Sequence, residues 1–254
     1  MVYNPLRDEI MITQIFGQAI MTFRGGANGD EAPIRVIMGS NTGLTNPGRL
    51  GLDPVHKEVF VPEGDKVLVF PSEAEGNIAP IRILQGPDTL LGASSLTIDP
   101  VHDLLIVDGS RPREKEEGGG GGGEMGGGGN RGQVLIFNRT DSGNAKPRNV
   151  IFGPKTHMQP GDSLITVYPP RQLILVGAPS KADEGGDIRS SPNNFVGVWS
   201  ENDSGDVPPR WTIGGPNGFL KQVRGIAIDP KHKTVMISDK FVNGVITYYF
   251  PEIF

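Results

Sequence analysis

The sequence predicts an all-β protein built from five copies of a four-stranded unit, the last copy incomplete. Three observations carry this expectation. Glycine and proline number 37 and 22 among 254 residues, a density of helix breakers that is hard to fit to a mainly helical fold. A turn with proline at its second position recurs five times. Each recurrence is followed, in fixed order, by the same series of short apolar runs, too short and too β-branched to favour helix.

The recurring turn reads Asn4-Pro5-Leu6-Arg7, Asp53-Pro54-Val55-His56, Asp99-Pro100-Val101-His102, Tyr168-Pro169-Pro170-Arg171 and Asp229-Pro230-Lys231-His232. A first strand leads into it, clearest at 96–99 and 225–229. A second follows at 9–13, 58–62, 104–108, 172–176 and 234–239. The third covers 19–23, 66–70, 133–137, 195–199 and 244–250, with Phe23, Phe70, Phe137, Trp199 and Phe250 aligned as aromatics that pack one unit on the next. The fourth opens with Pro33, Pro80, Pro147 or Pro209 and is closed by Gly39, Gly86, Gly153 or Gly214. Proline suits an outermost strand, where one edge is unpaired and a missing N–H is tolerated. Turn prolines spaced by roughly 46 to 69 residues match a propeller blade plus insertions. The expected architecture is therefore a single β-propeller domain spanning 1–254.

Several motifs resemble the NHL-type β-propeller repeats common in bacterial proteins. They are Gly76-Asn77-x-Ala79-Pro80-Ile81-Arg82-x-Leu84-x-Gly86, a Gly-x-x-Thr linker into the next unit, and Gly225-Ile226-Ala227-Ile228-Asp229. The resemblance covers nearly the whole chain and implies a ring of about six blades. Five inner turns but four outer strands are visible here. Either the last blade has three strands, or a blade is missing and the chain is a fragment of a six-bladed ring. The resemblance does not fix a function, because propellers host binding proteins, hydrolases and lyases alike.

Two insertions interrupt the period, at 110–131 and 178–193. The first joins a charged stretch, 113–117, to ten glycines between Gly118 and Gly129, a composition that cannot bury enough apolar surface to order itself. Both fall between second and third strands, on the face where propellers usually bind ligands. They are expected to form a rim over the channel mouth, or else to be loop drift without a contact to make.

Composition narrows the function classes. The chain carries 24 basic and 29 acidic side chains, a net charge of −5, which gives no hint of the concentrated basic face that nucleic acid needs and leaves RNA binding a minor reading. It has no cysteine, so disulfides, thiolate metal sites and a cysteine nucleophile are excluded. No apolar run approaches the roughly 18–20 residues of a membrane helix. With no signal peptide before Tyr3 the expected compartment is the cytoplasm, whereas a preceding segment would make it periplasmic or secreted. Nucleophile-elbow, phosphate-loop and zincin motifs are absent.

The histidines His56, His102 and His232 hold the same turn position in three units. Equivalent residues lie on a circle about the axis, too far apart for one ion, so they are expected to cap their own turns. His157 stands alone. The arginines Arg35, Arg82, Arg148 and Arg210 occur once per unit and are expected to make hydrogen bonds between blades or to be solvated. At the ends of the second strands stand Gln14, Glu63, Asp108 and Asp239. Lactonase-like propellers hold a divalent ion on converging carboxylates, so Glu63, Asp108 and Asp239 are the candidate ligands for an ion such as calcium. The alternative is that an acid closing this strand accepts backbone hydrogens of the following turn. The functional expectation is a non-catalytic scaffold binding a protein, peptide or glycan through the loop-bearing face. Its alternative is a divalent-metal-dependent hydrolase, lactonase-like, or a lyase, with its site at the channel mouth.

Overall fold

In the computed structural model, the structure describes residues 1–110, 132–158, 164–178, 195–215 and 217–254. Apart from Ser110 and Ala178, which end strands, the insertions 110–131 and 178–193 lie outside the described residues. Among the described residues the strands form five antiparallel sheets, four of four strands and one of three. Blade one holds β1 (Val2–Asn4), β2 (Glu9–Gln14), β3 (Ala19–Arg24) and β4 (Arg35–Met38). Blade two holds β5 (Gly51–Asp53), β6 (Glu58–Pro62), β7 (Lys66–Pro71) and β8 (Arg82–Gln85). Blade three holds β9 (Ala93–Asp99), β10 (Leu104–Ser110), β11 (Gly132–Asn138) and β12 (Asn149–Phe152). Blade four holds β13 (Leu164–Tyr168), β14 (Leu173–Ala178), β15 (Phe195–Ser200) and β16 (Trp211–Gly214). Blade five holds β17 (Val223–Asp229), β18 (Thr234–Asp239) and β19 (Gly244–Tyr249). The innermost strands of all five border one channel, a cavity of about 610 Å³ lined by Val2, Gly51, Leu96, Ile165 and Gly225. The protein is a five-blade β-propeller. None of its helices is long and apolar enough to cross a membrane, among the described residues.

Central strands are apolar on both sides because each blade is covered twice. In β10, Leu105 and Val107 enter the core shared with blade two, while Leu104 and Ile106 enter the core shared with blade four. Similar cores join blades one and two around Phe70, and blades four and five around Val235 and Ile237. Phe70, Phe137 and Trp199 are fully buried at these joins, as the repeat predicts. The fifth aromatic differs. Thr234 pairs with Tyr249 as Leu173 pairs with Ser200, so Tyr248, not Phe250, occupies the position of Trp199. Phe23 stands at this position in blade one and is only half-buried, and no apolar core joins blades five and one among the described residues.

The outer strands start later than expected. Pro33, Pro80, Pro147 and Pro209 sit just outside the ladder, and the next residue makes the first bond: Ile34, Ile81, Arg148 and Arg210 donate N–H to the third strand at 2.7–2.8 Å. Proline thus fixes the approach where its missing donor is not needed.

Nor is the outer edge left open. Gly76 in the β7–β8 turn donates to Val36 at 2.7 Å and accepts from Met38 at 3.1 Å, clasping β4 of the preceding blade. Gly143 and Gly205 repeat this against β8 and β12. The adjacent Asn77, Asn144 and Asp206 then accept N–H groups from Asn41, Asp88 and Lys155 of the preceding linker at 2.7–2.8 Å. A Cβ on Gly86, whose φ is +143°, would lie 2.3 Å from the Asn144 amide, so glycine is required there on two counts. In the linkers, Thr42, Thr89 and Thr156 donate to the carbonyls of Gly39, Gly86 and Gly153 at 2.6–2.7 Å. This gives the Gly-x-x-Thr pattern its physical meaning.

Candidate functional site

Antiparallel blades put two sets of turns on opposite faces. One face carries the turns between second and third strands together with the linkers between blades. There Gln14 accepts the N–H of Gly17. Glu63 accepts from Thr45 N–H at 3.0 Å, Thr45 Oγ1 at 2.7 Å and Asn46 N–H at 3.0 Å, pinning the linker from blade one. Asp239 accepts from Lys221 and Gln222 with one oxygen and from Phe241 and Val242 with the other, at 2.6–3.0 Å. Asp108 is fully buried at the end of β10, opposite Ser95. Glu63 and Asp239 thus have the geometry of acids that close a strand and hold the following backbone. Glu63, Asp108 and Asp239 do not form a group of donors within 4.8 Å of one another among the described residues.

The same face exposes large apolar side chains. Ile15 and Phe16 project from the β2–β3 turn, Phe241 and Val242 from the β18–β19 turn, and Phe219 from the linker into blade five. Phe16 is 96% exposed and Phe219 76%.

The opposite face carries the proline turns. Asp53, Asp99 and Asp229 each accept two N–H groups of their own turn at 2.8–3.2 Å, and each meets the ring of His56, His102 or His232 at 2.5–2.7 Å. Carboxylate oxygens have no conformational preference of their own here; the turn's two inward N–H groups select Asp, and the second oxygen is left for the histidine. The histidines cap their own turns, as expected. His157 occupies the left-handed position that ends the short helix Pro154–Thr156.

Of the two expectations for the arginines, bonds between blades and solvation, the first is replaced by bonds within blades. Arg35 makes a two-pronged ion pair with Glu9 at 2.7–3.0 Å, and Arg82 makes one with Glu58 at 2.7 Å. Arg210 pairs with Asp203 at 2.6 Å, and Arg148 reaches Asn138 at 3.5 Å. A second strand beginning in Glu is what the fork of a fourth-strand Arg needs. Burial alone would raise Glu9 and Glu58, but their arginines outweigh it and hold both below the usual carboxylate range.

Between neighbouring blades the proline turn faces the residue just past the third strand of the next blade. Backbone register puts Ser72, Arg139, Glu201 and Phe250 in that one position, each N–H bonded to the end of its own blade's proline turn at 2.8–2.9 Å. Where blade two meets blade three, Arg139 bonds Glu58 at 2.7 Å and Asp103 at 2.9 Å and lies 3.5 Å from Asp53. Where blade three meets blade four, Glu201 faces Asp99 and His102. These three are the group whose donor atoms all lie within 4.8 Å of one another among the described residues. Aligning the repeats by their third strands brings Glu201 into register with Arg139, which is the signal that reading each turn by itself missed.

The fold and its polar blade joins define a five-blade β-propeller with a substituted position at each join. Comparison with protein-family models finds none that matches this chain, and comparison with curated proteins finds no match either.

Proposed function

We propose that this chain is a non-catalytic NHL-repeat-type propeller that binds a protein, peptide or glycan through the face bearing the turns between second and third strands. The NHL reading is supported by its motif residues, since Pro80, Arg82, Gly76 and Asn77 each have a separate structural task that recurs around the ring. The binding reading rests on one observation: Ile15, Phe16, Phe219, Phe241 and Val242 are all exposed on that single face. Aromatic rings held out in turns offer large contact area to apolar side chains and to the faces of sugar rings, and such exposure marks interaction surfaces.

The test probes wild type and the F16S/F241S double variant against peptide and glycan arrays. Both positions are exposed, so the variant should unfold at the wild-type temperature. Ligands captured by wild type and lost by the variant are the expected result. Undiminished capture by the variant, or no ligand for wild type, overturns it.

A further inference from the structure

The join between blades three and four carries a second, unrelated feature. Asp99 is fully buried and Glu201 is 3% exposed, yet two acids meet there. Asp99 is supplied with donors: Val101 and His102 N–H on one oxygen, and the His102 ring on the other at 2.7 Å. Among the described residues neither carboxylate oxygen of Glu201 accepts a hydrogen bond, although both are buried. His102 Nδ1 lies 3.8 Å from Glu201 Oε2 and 2.7 Å from Asp99 Oδ2, and its side chain is 31% exposed, leaving a way in from solvent. The equivalent place at the preceding join is filled by a positive charge, the Arg139 guanidinium beside Asp53 and Glu58.

We propose that Asp99, His102 and Glu201 bind a first-row transition dication of the zinc class, which ties blade three to blade four as Arg139 ties blade two to blade three. An ion there would take one imidazole nitrogen and two carboxylate oxygens at roughly 2.0–2.2 Å, with water completing its shell on the open side of His102. The imidazole and the small number of protein donors disfavour calcium and magnesium, which take mainly oxygen ligands, calcium six to eight of them. Without an ion, burial and the facing Asp99 push the Glu201 carboxyl up to about 9, so the cluster holds a proton where a cation would stand. Binding exchanges that proton for the metal.

The experiment uses the full chain freed of metal by chelator, then titrated separately with zinc, manganese, calcium and magnesium, reading calorimetric binding and the unfolding temperature. H102A and E201Q remove ligands, and H232A removes the histidine of an Asp-x-x-His turn whose ion pair, among the described residues, is with its own Asp229 alone. Glutamine is neutral and of the same shape, so E201Q should fold at least as well as wild type in chelator. The expected result is one zinc per chain and a raised unfolding temperature for wild type and H232A. Affinity should be at least about 10-fold weaker in H102A and E201Q. Zinc binding absent from wild type, or unchanged in both ligand variants, overturns the site. Equal response to calcium or magnesium overturns the class of metal.

Discussion

The joins on either side of blade three begin from the same backbone and end in opposite electrostatics. Asp53 and Asp99 sit in superimposable turns, yet one faces an arginine and the other a glutamate. At the first join the cation is covalently part of the chain, and Glu58, Asp53 and Asp103 share it. At the second, Leu104 replaces the Glu58 of the repeat and Glu201 replaces Arg139, so two acids remain with no side chain between them to neutralise both. The difference teaches that one backbone join accepts fillings of opposite charge. Elsewhere the same position is Ser72, beside an Arg7–Glu73 pair at 3.1 Å, or Phe250, beside Tyr168 packed edge-on against Phe254.

Removing the built-in cation should break the contrast most severely. R139A removes a charged partner from Glu58 and Asp53, which keep Arg82 and the turn donors, and chemical denaturation should show a loss of about 1.5–3 kcal/mol. The reverse sign is expected across the ring. In chelator, E201Q should gain about 1–3 kcal/mol, because an amide needs no proton to be neutral and can donate to Asp99. Acid should sharpen the comparison further. Glu9 and Glu58 have lowered values in the folded chain, so their contribution is complete above the ordinary carboxylate value near 4.5 and is lost as pH falls through the lowered one. Unfolding temperature followed from neutral pH down to about pH 2 should therefore fall steeply in wild type and less steeply in R139A. Smallest of all, H232A should leave the unfolding temperature close to that of wild type, since its ion pair is exposed.

Much of the fold was legible because period, turn chemistry and strand patterning agree. Residues 58–62 and 234–239 are strands with the bounds that the sequence predicts, and blade five has three. Register at a chain-terminal hairpin was harder: Tyr248, Tyr249 and Phe250 are adjacent aromatics, and only the pairing of Thr234 with Tyr249 decides which faces blade four. The partners of the arginines within the blade were not legible because the second strand that supplies them is separated from the fourth by the whole third strand. The reach of Arg35 over buried Thr22 to Glu9 depends on three-dimensional depth. Of the site, the Asp-x-x-His turns were plain in the sequence. Glu201 was not, since its importance comes from a turn about a hundred residues earlier and one blade away.

The glycine clasp gives the ring a direction. Met38, Gln85 and Phe152 have their N–H groups bonded by the blade that follows them in the chain, never by the one before. A chain emerging from the ribosome can assemble the four strands of a blade at once, but that blade's rim stays unlatched until its successor's glycine turn has been made. Construction therefore runs like overlapping roof tiles, each course held down by the next. The outer strand β16 meets no such turn in blade five among the described residues, and its rim amides should be the first to exchange with solvent.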